Sequence, residues 1–146
     1  MKQFRVTILL IATSMLLCAC PKNEVRHYYV TIINKSKIEI GFQDYRNYED
    51  TFFYCQPNGG YPYIQRVSSN SSVELVVPAS ELSYWEQYIN KGQTINIFIT
   101  DANVFYEYWQ QPCDTIRKYV PILHRYQLTL QDLQRMDWTV VYPPEE

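Results

Sequence analysis

Thr94-Ile95-Asn96-Ile97-Phe98-Ile99-Thr100 is the stretch on which the reading of this chain turns. β-Branched and aromatic residues fill it, and no Gly or Pro interrupts it. Such residues suit a pleated, half-buried surface better than a helix. Upstream, Val73-Glu74-Leu75-Val76-Val77 and Tyr63-Ile64-Gln65-Arg66-Val67 read as two more strands around the polar turn Ser68 to Ser72. Further back, Tyr28 to Ile33 and Ile38 to Phe42 flank Asn34-Lys35-Ser36-Lys37, which predicts a hairpin with one face in the core. Gln43 to Pro62 carries Pro57-Asn58-Gly59-Gly60 and reads as a long surface loop.

Helices fill the remaining gaps. Ser80 is placed as an N-cap, Leu82, Trp85 and Ile89 share one helical face, and Gly92 supplies a left-handed exit. Downstream of the central strand, Asp101 is positioned to cap a helix through Val104 to Trp109, which Pro112 ends. Asp114 to Tyr119 is a further helical turn. Tyr126 to Thr129 leads into Leu130 to Met136, where Thr129 and Asp132 form a capping box with Asp in place of Glu. Trp138 to Tyr142 alternates as a last strand before Pro143-Pro144. The expected fold is α+β: a mostly antiparallel sheet or sandwich of about six strands with about three short helices. Residues 28–144 form one globular domain.

The N-terminus has a different composition. Lys2 and Arg5 head an apolar run from Val6 to Leu17, followed by Leu17-Cys18-Ala19-Cys20. A basic head, a short apolar core and a small residue before the cut are the anatomy of a secretory leader. The run is too short to cross a hydrocarbon layer, which needs about 20 apolar residues. Its end resembles a bacterial lipobox, with Cys18 standing where Ala, Ser or Thr is usual. That resemblance implies diacylglyceryl transfer to the Cys20 thiol, cleavage before it, and acylation of the new amine. Residues 1–19 are then the signal peptide and residues 20–27 a tether. An ordinary secretory signal, or a short buried apolar helix, is the alternative.

Lys2 and Arg5 leave with such a leader, so the mature domain is more acidic than the formal −2 of the whole chain. No cluster of Lys and Arg stands out, and nucleic acid is excluded as a partner on that ground. Of four cysteines, Cys18 and Cys20 belong to the leader and its cleavage site, leaving Cys55 and Cys113. In an oxidising compartment these form a disulfide or remain as two buried thiols. A bond would close a loop of about 58 residues, worth roughly 3–4 kcal/mol in the chain-entropy model.

Arg125-Tyr126-x-Leu128-Thr129-Leu130-x-Asp132-Leu133, then Trp138-Thr139-x-x-Tyr142-Pro143, resembles the C-terminal signature of small lipoproteins of Bacteroides-type bacteria. The resemblance covers about twenty residues beside the lipobox and implies compartment and lineage, with no chemistry attached. Lipoproteins of that kind sent to the cell surface usually carry acidic residues just after the cysteine. Pro21-Lys22-Asn23-Glu24 has one, which favours the periplasmic side of the outer membrane.

Catalytic patterns are missing from the sequence. It has no His-Glu-x-x-His, no Gly-x-Ser-x-Gly, no phosphate-cradling Gly loop and no Cys-x-x-Cys. His27 and His124 are its two histidines, too few for a zinc site without thiols already assigned elsewhere. The chain is therefore expected to be no enzyme and to need no cofactor or metal. Two roles remain. One is an accessory or protein-interaction lipoprotein held to the membrane through Cys20. The other is a glycan- or peptide-binding module that uses the Tyr-rich loop 44–63, with Tyr45, Tyr48, Tyr54, Tyr61 and Tyr63 as candidate contacts. Against the second stands the plainer reading, a small apolar core under a long loop pinned by Cys55.

Overall fold

The strand that dominates the sequence also lies at the centre of the molecule. The computed structural model describes residues 25–46, 62–77, 84–89 and 93–144. In chain order its elements are β1 (Tyr29–Asn34), β2 (Ile40–Arg46), β3 (Gln65–Val67), β4 (Ser71–Val76), α1 (Trp85–Tyr88) and β5 (Thr94–Asp101). There follow α2 (Ala102–Tyr108), α3 (Cys113–Tyr119), β6 (Ile122–Thr129), α4 (Leu130–Arg135) and β7 (Thr139–Tyr142). The strands form two sheets, ordered β4-β1-β7 and β3-β2-β5-β6. Every pairing is antiparallel except β1 with β7. The expected α+β, mostly antiparallel class is the one observed.

β5 is buried from Ile95 to Thr100 because it has a layer on each side. Side chains alternate across a strand. Ile95, Ile97 and Ile99 therefore enter the core between the sheets, with Val30, Ile32, Leu75, Leu128 and Val140. Phe98 points the other way, into a second core with Phe105, Ile116 and Val120 under α2 and α3. The layers run sheet, sheet, helices. Polar residues in the second core have partners: Thr100 Oγ1 donates to Pro121 O at 2.9 Å, and Arg125 Nη2 donates to Asn96 Oδ1 at 3.0 Å. Gly41 lets this layer close, since a Cβ there would lie 2.1 Å from Ile64 Cδ1.

The expected hairpin from Tyr28 to Phe42 does not form. β1 pairs with β4 and β7, whereas β2 pairs with β3 and β5. The cause is Asn34, a fully buried residue at the end of β1. Its Nδ2 donates to the carbonyls of Ile38 (2.8 Å), Val67 (3.0 Å) and Ser68 (3.2 Å). Its Oδ1 accepts from Ser36 N at 2.9 Å and Ser36 Oγ at 2.7 Å. A side-chain-closed turn of this kind replaces the tight hairpin turn, and the chain crosses to the other sheet. β3 to β4 crosses back through Ser68-Ser69-Asn70, with Asn70 left-handed at φ 54°. Ser69 Oγ donates to Ser36 O at 2.6 Å, which ties the two crossings together.

Three further expectations need correction. β6 is a full strand from Ile122, although only Tyr126 to Thr129 stood out, as a lead-in to the last helix. Tyr126 and Leu128 enter the inter-sheet core, but His124 on their face and Arg125 on the opposite face are both half-buried, which hides the pattern. β2 continues to Arg46, so the loop does not begin at Gln43. Asp114 to Tyr119 belongs to a full helix, α3, which makes the described helices four. Ser80, Leu82 and Gly92 lie outside the described residues, as does the start of any helix before Trp85.

Candidate functional site

Asp101 and Thr129 set the frame by capping the helices that follow β5 and β6. Asp101 Oδ1 accepts from Asn103 N at 2.8 Å and Val104 N at 3.2 Å. Thr129 and Asp132 exchange both bonds of the capping box. α4 then closes with a Schellman turn: Trp138 N donates to Leu133 O at 2.8 Å and Asp137 N to Gln134 O at 3.3 Å. Asp137 and Trp138 both take positive φ, 49° and 56°. A Trp in that region is uncommon. Burial of its indole, which is 6% exposed within the inter-sheet core, holds it there.

Against that indole the chain fastens its own N-terminal end. The His27 ring stacks on Trp138 with centroids 4.0 Å apart and planes 15° apart. His27 Nδ1 meets Glu86 Oε1 at 2.5 Å, and His27 N donates to Glu86 Oε2 at 3.1 Å. Trp85 N donates to His27 O at 2.8 Å. A four-residue helix has no stability of its own, so α1 depends on these contacts. Arg26 adds a cation over the Tyr84 ring, 5.0 Å from its centroid. Beside this clasp, Val25, Tyr28, Tyr29 and Val76 are exposed, and Tyr29 is the cross-strand partner of Val76.

Of the five tyrosines expected to bind a ligand, Tyr45 and Tyr63 lie among the described residues. Tyr45 lies on β2 and packs half-buried against the second core, because β2 runs further than expected. Tyr63, before β3, is 72% exposed, and its carbonyl accepts from Gln43 Nε2 at 2.9 Å. Tyr48, Tyr54 and Tyr61 lie outside the described residues, as do Cys20 and Cys55. Another group of rings brought together lies on α2, α3 and the turn after α2. Tyr108 stacks on Tyr119 at 5.2 Å, and Tyr106 meets Trp109 edge-on at 6.2 Å. Only their separate helical spacing is visible in sequence; the packing of α2 on α3 is not.

Cys113, the first residue of α3, is in a disulfide whose partner lies outside the described residues. A cleft of about 340 Å³ runs beside β7, lined by Tyr126, Met136, Thr139, Val141 and Pro144. Its phenol is already committed, since Tyr126 OH donates to Val141 O at 2.5 Å. No protein-family model, curated protein or solved structure matches this chain.

Charge adds little to the chemistry within reach. Burial pushes the Tyr126 phenol up to about 12, with Tyr142 beside it adding to the rise. Burial, then the charge of Asp101, raises Tyr142 as well. Desolvation holds the Asp44 carboxyl above the usual carboxylate range, against its own backbone amide, which lowers it. Among the described residues no three His, Cys, Asp or Glu side chains converge where a metal would bind. No described helix is long and apolar enough to cross a membrane.

Proposed function

We propose that this chain is a lipid-anchored protein of the bacterial envelope, whose domain works by binding a partner and not by catalysis. The lipobox-like run ending at Cys20 carries the reading. The clasp at His27 supports it, because it holds the end of the domain nearest that cysteine in a defined place. Six steps of chain separate Cys20 from Arg26, so the lipid lies within about 21 Å of the domain. Two or more acyl chains give lasting attachment where one binds marginally. Kinship with the small lipoproteins of Bacteroides-type bacteria, an outer-membrane address on the periplasmic side, and a Cys55–Cys113 bond belong to the same reading.

The test is metabolic labelling with a clickable palmitate, followed by pull-down of the lipidated protein from its native membrane. Cys20→Ala removes the label and leaves an uncleaved or mislocalised precursor. Unchanged labelling of that variant refutes the anchor. The glycan or peptide reading keeps one described ring in its favour, the exposed Tyr63; binding to a glycan or peptide array that is lost in Tyr63→Ala supports it.

A further inference from the structure

We infer that the exposed end of the β4-β1-β7 sheet is a membrane-contact face, laid against the same bilayer that holds the Cys20 lipid. This rests on the lipid-anchored reading above and says which way the anchored domain faces.

Tyr29 and Val76 are paired across β1 and β4, and their side chains point away from the inter-sheet core, whose members on these strands are Val30, Ile32 and Leu75. Helices α2 and α3 cover the far side of the other sheet. Tyr29 is 50% exposed and Val76 55%, with Tyr28 at 47% and Val25 at 72% just before β1. Tyr29 and Val76 thus share the outer face, and the exposed side chains of Tyr28 and Val25 precede them where the chain enters the domain. Tyrosine suits this position, since its ring enters the headgroup layer while its hydroxyl stays wet. Arg26, over the Tyr84 ring, places a cation at the same end, where anionic headgroups would meet it. Glu74, two residues before Val76 and opposite Thr31, marks where the apolar part of the face stops.

The length of chain decides the occupant. With the lipid within about 21 Å of Arg26, the surface nearest Arg26 is the part of the domain that meets the bilayer most often. The clasp of His27 on Glu86 and Trp138 prevents residues 26–28 from peeling away to lengthen the leash. A bilayer therefore meets this patch at high effective concentration without any added affinity.

Hydroxyl-radical footprinting tests the face on full-length protein, acylated in cells and reconstituted into vesicles of phosphatidylethanolamine and phosphatidylglycerol. Tyr119 on α3, 49% exposed, is the matched reference on the opposite layer. Tyr28 and Tyr29 should oxidise several-fold more slowly than Tyr119, and Val76→Glu should abolish that protection while acylation persists. Equal oxidation of Tyr28, Tyr29 and Tyr119 in acylated, vesicle-bound protein overturns the contact face and leaves the anchor standing. A chain that carries no acyl group at Cys20 overturns the anchored reading and this face with it.

Discussion

The side-chain amide of Asn34, at the end of β1, donates to the carbonyl of Val67 in β3 at 3.0 Å, so a residue of one sheet holds a strand of the other. Two of the crossings between the sheets, β1 to β2 and β3 to β4, pass this point, and Asn34 also supplies Ile38 and Ser68. The bond explains why two adjacent strands with a turn between them do not pair.

Asn34→Ala should be costly. It takes the side-chain donor from the buried Val67 carbonyl and the acceptor from the Ser36 amide, while Ile38 O keeps Ser36 Oγ and Ser68 O keeps Ser71 N. A buried polar group without a partner costs about 1–3 kcal/mol. Urea unfolding should show a loss of about 2–4 kcal/mol. A midpoint equal to wild type would mean that the crossings hold without the side chain.

Trp138→Ala removes an indole from the inter-sheet core together with the platform for His27, and should cost about 3–5 kcal/mol. Asp137→Gly should act in the opposite direction, gaining about 0.5 kcal/mol, because the left-handed position after α4 suits glycine. Thermal melts of the two variants separate packing from backbone strain. A Trp138→Ala protein that melts like wild type but loses a partner would make the C-terminal signature a binding surface.

The Tyr126 phenol supplies an alkaline limit. Its folded value is raised to about 12, against about 10 for an unfolded tyrosine. The stability this contributes is complete below pH 10 and is lost as pH rises towards 12, because the unfolded chain gives up its proton first. Tyr126→Phe, which also loses the bond to Val141 O, should be less stable at pH 8 and show a shallower fall above pH 10. Parallel slopes in urea titrations from pH 8 to 12 would contradict this.

At acid pH the α4 cap is the group to watch. The Thr129 hydroxyl, then the Thr129 amide and Arg135, hold the Asp132 carboxyl below its usual range. A depressed carboxylate contributes stability above its unfolded value of about 3.9, lost as pH falls through the folded one. Thr129→Ala should cost about 1 kcal/mol at pH 7. That penalty should shrink at pH 3, and melting curves at the two pH values will show whether it does.

Local chemistry alone determined a good deal of this protein. The β-branched run at 94–100, the Asp101 cap, the Thr129–Asp132 capping box and the closing unit of Leu130, Leu133, Trp138 and Val140 are legible because each depends on neighbours in sequence. Ile and Phe alternate visibly in β5, but only a second layer explains why both faces are buried. Strand pairing was decided elsewhere: Asn34 reads as a turn residue until the carbonyls of Val67 and Ser68, more than thirty positions away, arrive beside it. β6 is hard to read because His124 and Arg125 stand half-buried on its two opposite faces, and the tyrosines of α2 and α3 became a cluster only when those helices packed. His27 is the plainest case. Nothing around it in sequence predicts a partner, and its contacts, Glu86 and Trp138, come from two distant segments that the fold alone brings to the domain's first residues.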